Sequence, residues 1–457
     1  IFLTLLSLFR FFSIILHRIK QNMKLEMKKF ALTAFFGMIV ASSFAQSGTN
    51  SPYSMYGLGV LAEQSSGFNR GMNGLAYGFR ERNQVNYMNP ASYSNVDSLT
   101  FLFDAGVSLQ LTNFKEGGKS VNAKNANFEY VVASFRAAKH LGISFGVIPY
   151  TNVGYNYSNT NNINEATQTD NDKTTYTNTY DGEGGLHQVY LGAGWEPFKG
   201  FSFGANVSYL WGDYTRSVVN SYSDSYVNTL SKTYSAEVRS YKLDIGAQVN
   251  FPLSKKDDMT VGVTYSLGHK LNSDPECQII SNNTQTAVAD TTTYTIDNGL
   301  AIPHVIGIGA LWTRNNQLRV GVDYQWQKWK DVESPIYSNS SYYLADNMFK
   351  DRHKITLGGE YCKGEKARNF LGRVHYRAGV SYATPYLVIN GNDGPKEISA
   401  SLGFGIPIMN GYNNRSMLNI SGQWVNQNAN GLIKENSFRI NIGFTFNEKW
   451  FSKFKVD

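Results

Sequence analysis

The sequence predicts an all-β protein: a transmembrane antiparallel β-barrel of about 14 strands, with an N-terminal plug (hatch) inside it. Three observations support this prediction. From about residue 99 onward the chain alternates apolar and polar residues, the period of two that is typical of strands. Long connections alternate with short ones, as in outer-membrane barrels. Residues 46–98 instead contain many glycines and follow no regular period, so we expect this segment to fill the bore.

The first 45 residues are interpreted as upstream sequence followed by a secretory signal peptide. Met27-Lys28-Lys29 forms a basic start, and residues 30–40 form an apolar run. Ser43-Phe44-Ala45 then supplies small residues for cleavage before Gln46. We therefore expect export, and the true start of translation at Met23 or Met27.

An alternative interpretation of residues 1–17 is a membrane anchor, but that run contains Arg10 and is short for a span. Residues 1–45 also hold six of the 42 basic residues and one of the 35 acidic residues. The remaining chain then has 36 basic and 34 acidic residues, a net charge of +2. Because little net positive charge remains, we expect no nucleic-acid partner.

Fourteen segments show the alternation, and the last is the clearest, with Phe438, Ile440, Ile442, Phe444 and Phe446 on one face. A secreted β-sandwich is the alternative, but a sandwich would mix long and short loops rather than alternate them. The predicted strands cover residues 99–114, 125–139, 141–157, 174–196, 200–220, 231–251, 258–273, 300–314, 316–333, 350–363, 369–384, 395–407, 415–427 and 435–447.

No catalytic or metal site stands out, so we expect neither an enzyme nor a cofactor. Residues 142–146 and 200–204 match the G-x-S-x-G pattern of serine hydrolases, but each serine lies inside a predicted strand. Residues 390–394 are rich in oxygen ligands, and a polar turn is favoured over a calcium loop. Cys277 and Cys362 are predicted at opposite ends of the barrel, too far apart for a disulfide.

Charged residues are expected to face the bore. Two interpretations remain open: a charged conduit for a ligand, or a network of ion pairs that braces the wall, and bracing is favoured because buried charges need partners. The predicted set is Lys242, Asp244, Arg319, Asp323, Glu360, Arg373, His375, Arg377 and Arg439.

The third predicted strand contains an irregularity at Pro149. Proline has no N–H for the ladder and is rare inside a sheet except at edges and bulges. A closed barrel has no edge strand, so Pro149 predicts a bulge or an inward kink, followed by Asn152 and Gly154. This kink would be a weak point in the wall.

Four motifs resemble the FadL-like family of outer-membrane transport proteins, in the version common among Bacteroidetes. They occur in the family's order and the similarity runs from about residue 51 to 447. They are Asn89-Pro90-Ala91 before the first strand, Tyr324-Gln325-Trp326-Gln327-Lys328-Trp329, Arg352 to Tyr361 with its Gly-Glu-Tyr end, and Arg377-Ala378-Gly379-Val380-Ser381-Tyr382.

The resemblance implies a 14-stranded barrel with an N-terminal hatch. It also implies that hydrophobic compounds enter an apolar pocket and leave sideways at a kink in the third strand. The implied ligand path and hatch contain Phe68, Met72, Leu75 and Asn89-Pro90-Ala91, although the three apolar residues also fit a small core of the plug itself. The basic and aromatic tail, residues 448–457, is expected on the periplasmic side.

Two functions follow as expectations. The first is a channel in the Gram-negative outer membrane for passive uptake of small hydrophobic compounds, with the plug as gate. The alternative is a plugged structural or assembly subunit of an outer-membrane complex. The expected partners are outer-membrane lipid, a small hydrophobic ligand and other envelope proteins.

Overall fold

The structure, a computed structural model, describes residues 48–163, 174–283, 285–364, 367–408 and 416–448. The predictions for residues 1–45 lie outside these ranges, as do those for the tail beyond Glu448. None of the helices in the described ranges is both long enough and apolar enough to cross a membrane.

Before the barrel, the chain forms short elements that we call, together with their connections, the inner segment (residues 48–98). It contains the 3-10 helix Pro52–Met55, the two-residue strand β1 (Val60–Leu61), the helical turn α1 (Gly67–Arg70) and the 3-10 helix Pro90–Asn95. Most of its side chains are buried, and each helix is too short to persist without tertiary packing.

Fourteen antiparallel strands form a closed barrel, as the sequence predicted, and the third consists of two pieces, β4 and β5. The last strand pairs with the first, and this pairing closes the sheet into a barrel. The barrel strands are β2 (Phe101–Glu116), β3 (Lys119–Ala138), β4 (Leu141–Pro149) with β5 (Thr151–Asn162), β6 (Thr175–Phe198), β7 (Phe201–Tyr222), β8 (Thr229–Pro252), β9 (Asp257–Ser266), β14 (Val305–Arg314), β15 (Leu318–Gln327), β18 (Arg352–Tyr361), β19 (His375–Ala383), β22 (Lys396–Ile408), β23 (Ser416–Asn428) and β24 (Lys434–Glu448).

The remaining strands lie in the long connections, which the sequence analysis treated as loops. They are β10 (His269–Lys270), β11 (Glu276–Asn282), β12 (Ala289–Thr295), β13 (Ala301–Ile302), β16 (Ser334–Ser338), β17 (Ser341–Ala345), β20 (Val388–Ile389) and β21 (Asn392–Asp393). Two further 3-10 turns span Trp329–Asp331 and Phe370–Gly372. Arg373, predicted in the bore, instead lies in the turn after Phe370–Gly372, because β19 begins only at His375.

The outward-facing residues form an apolar band around the wall. Leu191, Val207, Leu357 and Leu402 are each more than half exposed to solvent in the isolated chain. A soluble monomer rarely exposes a continuous apolar surface of this extent. The band is therefore the lipid-facing surface of an outer-membrane barrel, with short periplasmic turns and long extracellular connections.

The inner segment approaches the barrel wall at lumen-facing glycines. A Cβ atom on Gly142, Gly262 or Gly379 would overlap a backbone carbonyl of the inner segment, namely that of Tyr93, Tyr77 or Met72 respectively. These glycines give the wall the space that the inner segment needs. In the sequence, each of them appeared simply as a small residue on the polar side of a strand.

We predict that Gly262→Val displaces the inner segment without opening the barrel. Because overpacking costs about 1–3 kcal/mol, protease cleavage at Arg80, whose side chain is 10% exposed, should accelerate by about tenfold or more. The control is Gly422→Val, since Gly422 faces lipid and its Cβ would meet only the Phe438 ring, at 3.4 Å. Equal cleavage rates in the two variants would contradict the prediction.

Candidate functional site

The wall is interrupted beside the third strand. β3 pairs with β4 up to Val131 and Val147, but β3 and β5 are not paired. Continuing the register of β3 and β4 would place Asn125 opposite Val153. At this level the barrel therefore has a gap in its backbone hydrogen bonds, on the extracellular side of Pro149.

A bulge creates the gap. Pro149 pairs with His187 of β6, whereas the next paired residues on the third strand and β6 are Val153 and Gly184. Three residues of the third strand, 150–152, thus lie opposite two residues of β6, and an extra residue bends a strand. The structure shows the irregularity that Pro149 predicts, with Asn152 in the bulge and Gly154 just beyond it.

The distortion continues into the neighbouring strands. Gly184 and Gly185 of β6 and Gly212 of β7 have φ angles of 111°, 146° and 142°, a region that side-chain-bearing residues rarely adopt. A Cβ atom on Gly185 would overlap the Thr151 carbonyl oxygen. In the sequence, these three glycines are the signal that the irregularity extends beyond one strand.

The inner segment supplies hydrogen-bond partners to the free edge of β5. A strand has two edges; one edge of β5 pairs with β6, and β1 pairs with the other through Val60 opposite Asn152 and Leu61 opposite Thr151. Ser54 Oγ accepts a hydrogen bond from Gly154 N–H (3.1 Å). The inner segment therefore takes the place that β3 would occupy in a regular barrel.

Residues 48–50 reach across the gap from β5 to β3. A Cβ atom on Gly48 would lie 2.7 Å from the side-chain oxygen of Asn152 on β5. On β3, the side-chain amide of Asn125 contacts both Thr49 and Asn50. The two sides of the gap are thus joined through the start of the inner segment.

An aromatic pocket lies beside this region on the extracellular half of the bore. Its empty volume is about 900 Å³, and its lining joins the inner segment to β5, β7, β8 and the β16–β17 hairpin. The Arg216 guanidinium stacks over the Tyr214 ring at 4.2 Å and donates hydrogen bonds to the carbonyls of Met55 and Gly57. The apolar side chains that line it are Met55, Tyr56, Tyr155, Tyr214, Tyr234, Ile336, Tyr342, Met348 and Phe349.

A second chamber occupies the middle of the bore and is more polar than the aromatic pocket. It has an empty volume of about 1390 Å³ and reaches Ile148 and Tyr150, beside Pro149. None of the described residues lines both this chamber and the aromatic pocket. Charged and amide side chains dominate its wall: Glu63, Lys242, Asp244, Arg352, Lys354, Glu397 and Arg439, with Gln64, Gln188, Gln325, Gln327, Gln423 and Gln427. An apolar solute would displace water from these groups at a cost in free energy.

The residues predicted for the ligand path occupy other places. Phe68, Met72 and Leu75 are at most 1% exposed and pack with Phe79 and Leu311 into a closed core, lining neither cavity. This packing corresponds to the small core that the sequence analysis kept as the alternative.

Asn89-Pro90-Ala91 lies nearer the periplasmic end. Asn89 caps the helix Pro90–Asn95 by accepting from Ala91 N–H (3.2 Å) and donates to the Tyr77 carbonyl (2.9 Å). The motif fixes the end of the inner segment against β6, β7 and β8.

Most of the predicted lumen charges have partners, as the bracing interpretation requires. Glu360 is 4% exposed and contacts Arg377 (2.6 Å), His375 (3.1 Å) and Arg319 (3.3 Å). Lys242 pairs with Asp244. The contacts of Glu360 join β15, β18 and β19 to one another, whereas the Lys242–Asp244 pair lies within β8.

Two contacts of this kind hold the inner segment itself. Asp323 accepts hydrogen bonds from the N–H groups of Ala76 (2.6 Å) and Tyr77 (3.0 Å). Arg70, 2% exposed, forms an ion pair with Glu129 of β3 (2.8 Å), at a second bulge beside the gap. The buried ionic groups therefore connect the inner segment to opposite sides of the barrel.

A family model named BamG matches residues 27–457. The chain belongs to the BamG family. No curated protein matches the sequence. The resemblance to FadL-like proteins in the sequence therefore identified related folds rather than the family whose model matches.

Solved structures of hydrocarbon transporters share the fold of this BamG-family chain. The Ralstonia pickettii toluene transporter TbuX has 13% identity and a TM-score of 0.57, covering 84% of this chain and 98% of its own. A Pseudomonas aeruginosa FadL homologue has 12% identity and a TM-score of 0.57, covering 86% and 99%. The Pseudomonas putida toluene transporter TodX has 13% identity and a TM-score of 0.53, covering 86% and 100%. At these identities the likeness establishes the barrel fold.

Proposed function

We propose that this protein is an outer-membrane channel for passive uptake of small hydrophobic compounds. The observation that carries the proposal is the position of the aromatic pocket. It adjoins β5 and the first helix of the inner segment, next to the gap between β3 and β5. The structural neighbours, toluene transporters among them, add support.

The proposed path avoids the polar chamber. A compound enters the aromatic pocket from outside and passes the inner segment near Ser54 and Met55. It then leaves between β3 and β5 into the membrane. The aromatic pocket at the start of this path is lined by aromatic, apolar or uncharged polar groups except Arg216, which holds the inner segment. The charged groups beside the gap, Arg70 and Glu129, are paired with each other. In this proposal, the transported compound does not pass through the charged chamber at the centre of the bore.

In this proposal the gate is the start of the inner segment, residues 48–56. Its contacts across the gap, made by residues 48–50, are uncharged hydrogen bonds, each with a net contribution of about 0.5–1.5 kcal/mol. Its contacts with charged side chains are single hydrogen bonds, at Ser51 with Glu435 and at Met55 with Arg216. The deeper part of the inner segment is held by buried ionic contacts at Arg70 and Asp323. We therefore propose that residues 48–56 move while the remainder stays in place.

We predict that Pro149→Val abolishes uptake of toluene into liposomes that contain the purified protein. Valine restores a backbone N–H and favours a regular strand, so β5 would move toward β3 and narrow the gap. Toluene uptake should fall to the level of liposomes without protein.

The matched control for this experiment is Pro407→Val, because Pro407 lies in the regular strand β22. This variant should transport toluene at the wild-type rate. Unchanged uptake in the Pro149→Val liposomes would overturn the lateral path.

A second function, a plugged structural or assembly subunit of an outer-membrane complex, is favoured by a different observation. The inner segment is fastened to the wall by Asp323, Arg70, Arg216 and Ser51, which bonds Glu435 (2.6 Å). The chamber below the aromatic pocket is charged. A barrel closed in this way suits a role in which nothing crosses it.

The structural role predicts that mild detergent extracts the protein from native outer membranes as part of a larger assembly of fixed composition. Native mass spectrometry would measure the mass of the extracted particle. A particle with the mass of one chain would contradict the structural role and leave the channel proposal standing.

A further inference from the structure

The extracellular half of the barrel is asymmetric. β6, β7 and β8 have 24, 22 and 24 residues, whereas β14, β15 and β18 have 10 each. A membrane-crossing strand needs about 9–11 residues, so the longer strands continue well beyond the membrane. Together with β5, β11 and β12 they form a six-stranded sheet, which we call the outer sheet.

The outer sheet leaves the barrel at β8. β8 pairs with β9 from Asp244 to Pro252, and farther out β11 replaces β9 as its neighbour. β12 then pairs with β11 over seven residues, from Ala289 opposite Asn282 to Thr295 opposite Glu276. Among the described residues, no strand pairs with the other edge of β12.

The face of the outer sheet toward the bore is covered. Tyr234 and Tyr294 lie on this face and pack against Tyr342 and Tyr337 of the β16–β17 hairpin, with ring centroids 6.2 and 5.4 Å apart. Cys277 between them is fully buried. Because β12 is anchored from this side, its backbone is held in an extended conformation.

The opposite face looks away from the bore and is polar. Register places Glu183, Thr215, Ser235, Glu276 and Thr295 in one row across the strands. Among the described residues from β6 to β12, this face carries five acidic residues and one basic residue. The acidic residues are Asp181, Glu183, Asp213, Glu237 and Glu276, and the basic residue is Arg239. The face is thus strongly acidic.

β12 carries one of the features that normally protect an edge strand, the charge of Asp290 near one end, and lacks most of the others. Its sequence, Ala-Asp-Thr-Thr-Thr-Tyr-Thr, contains no lysine, proline or glycine, and its register with β11 shows no bulge. Thr and Tyr favour the extended conformation. The unpaired edge of β12 presents, over residues 291–295, a row of backbone N–H and C=O groups to which another chain can add as a strand.

We propose that β12 binds an extended, lysine- or arginine-bearing segment of another envelope protein as a seventh strand of the outer sheet. The free backbone groups of β12 would supply the hydrogen bonds. Glu276 is nearest to β12 on the acidic face, and Glu237 beyond it pairs with Arg239 (2.5 Å), the one basic residue of that face. The remaining negative charge would select positive side chains and repel the phosphates of lipid headgroups. This inference holds whether or not the barrel conducts.

Hydrogen exchange with mass spectrometry tests the proposal in three samples: native outer-membrane vesicles, the purified protein in detergent, and the purified protein in vesicles of extracted outer-membrane lipid. Amides of residues 289–295 should exchange about tenfold or more slowly in native vesicles than in the other two samples. Amides of β11, which pair on both sides, should remain equally protected throughout and show that the sheet is intact.

Charge reversal supplies the second arm. Glu237→Lys combined with Glu276→Lys should remove the extra protection of β12 in native vesicles. Asp346→Lys, on an exposed residue outside the acidic face, should preserve it. The proposal would be overturned if the β12 amides exchanged equally fast in all three samples. It would also be overturned if they were as protected in vesicles of extracted lipid as in native vesicles, because lipid would then be the group that covers β12.

Discussion

Backbone hydrogen bonding in the membrane wall is the constraint on which the rest of this structure depends. Within lipid, each N–H and C=O group must find a protein partner, and a closed barrel meets this requirement by pairing every strand twice. The bulge after Pro149 removes β5 from β3 and breaks that pattern. The inner segment restores it in part, because β1 pairs with β5 and Asn125 of β3 contacts Thr49 and Asn50.

The bore follows from this arrangement. Buried ionic contacts hold the deep part of the inner segment, and lumen glycines allow its backbone to approach the wall closely. Its first residues, in contrast, lie between the aromatic pocket and the gap, where Ser54 and the Asn125 amide hold them by uncharged hydrogen bonds, and their contacts with charged side chains are single hydrogen bonds from Arg216 to Met55 and from Ser51 to Glu435. The molecule therefore combines a fixed part with a part that moves at a lower cost in free energy. The channel proposal uses this difference, and the structural role requires only the fixed part.

Much of the fold was predictable because a period of two reports directly which face a residue occupies. The strand count, the position of Pro149 in an irregular strand and the place of Glu360 and Arg377 among the bore-facing charges all follow from that pattern. The outer sheet was missed because β11 and β12 carry polar residues on the exposed face and therefore resemble loops. The aromatic pocket was missed since its lining comes from distant parts of the chain. Phe68, Met72 and Leu75 were assigned by resemblance, and composition alone could not distinguish a pocket from a core.

The central claim is that residues 48–56 close the gap beside the third strand. Its most direct test is a disulfide between Asn50→Cys and Asn125→Cys in a chain whose own two cysteines are replaced by alanine. The account predicts that the oxidised protein takes up no toluene into liposomes and that a reductant restores uptake. A disulfide between Asn73→Cys and Ser381→Cys, which fastens the deep part alone, should leave uptake unchanged. Full toluene uptake through the barrel locked at Asn50 and Asn125 would contradict the account.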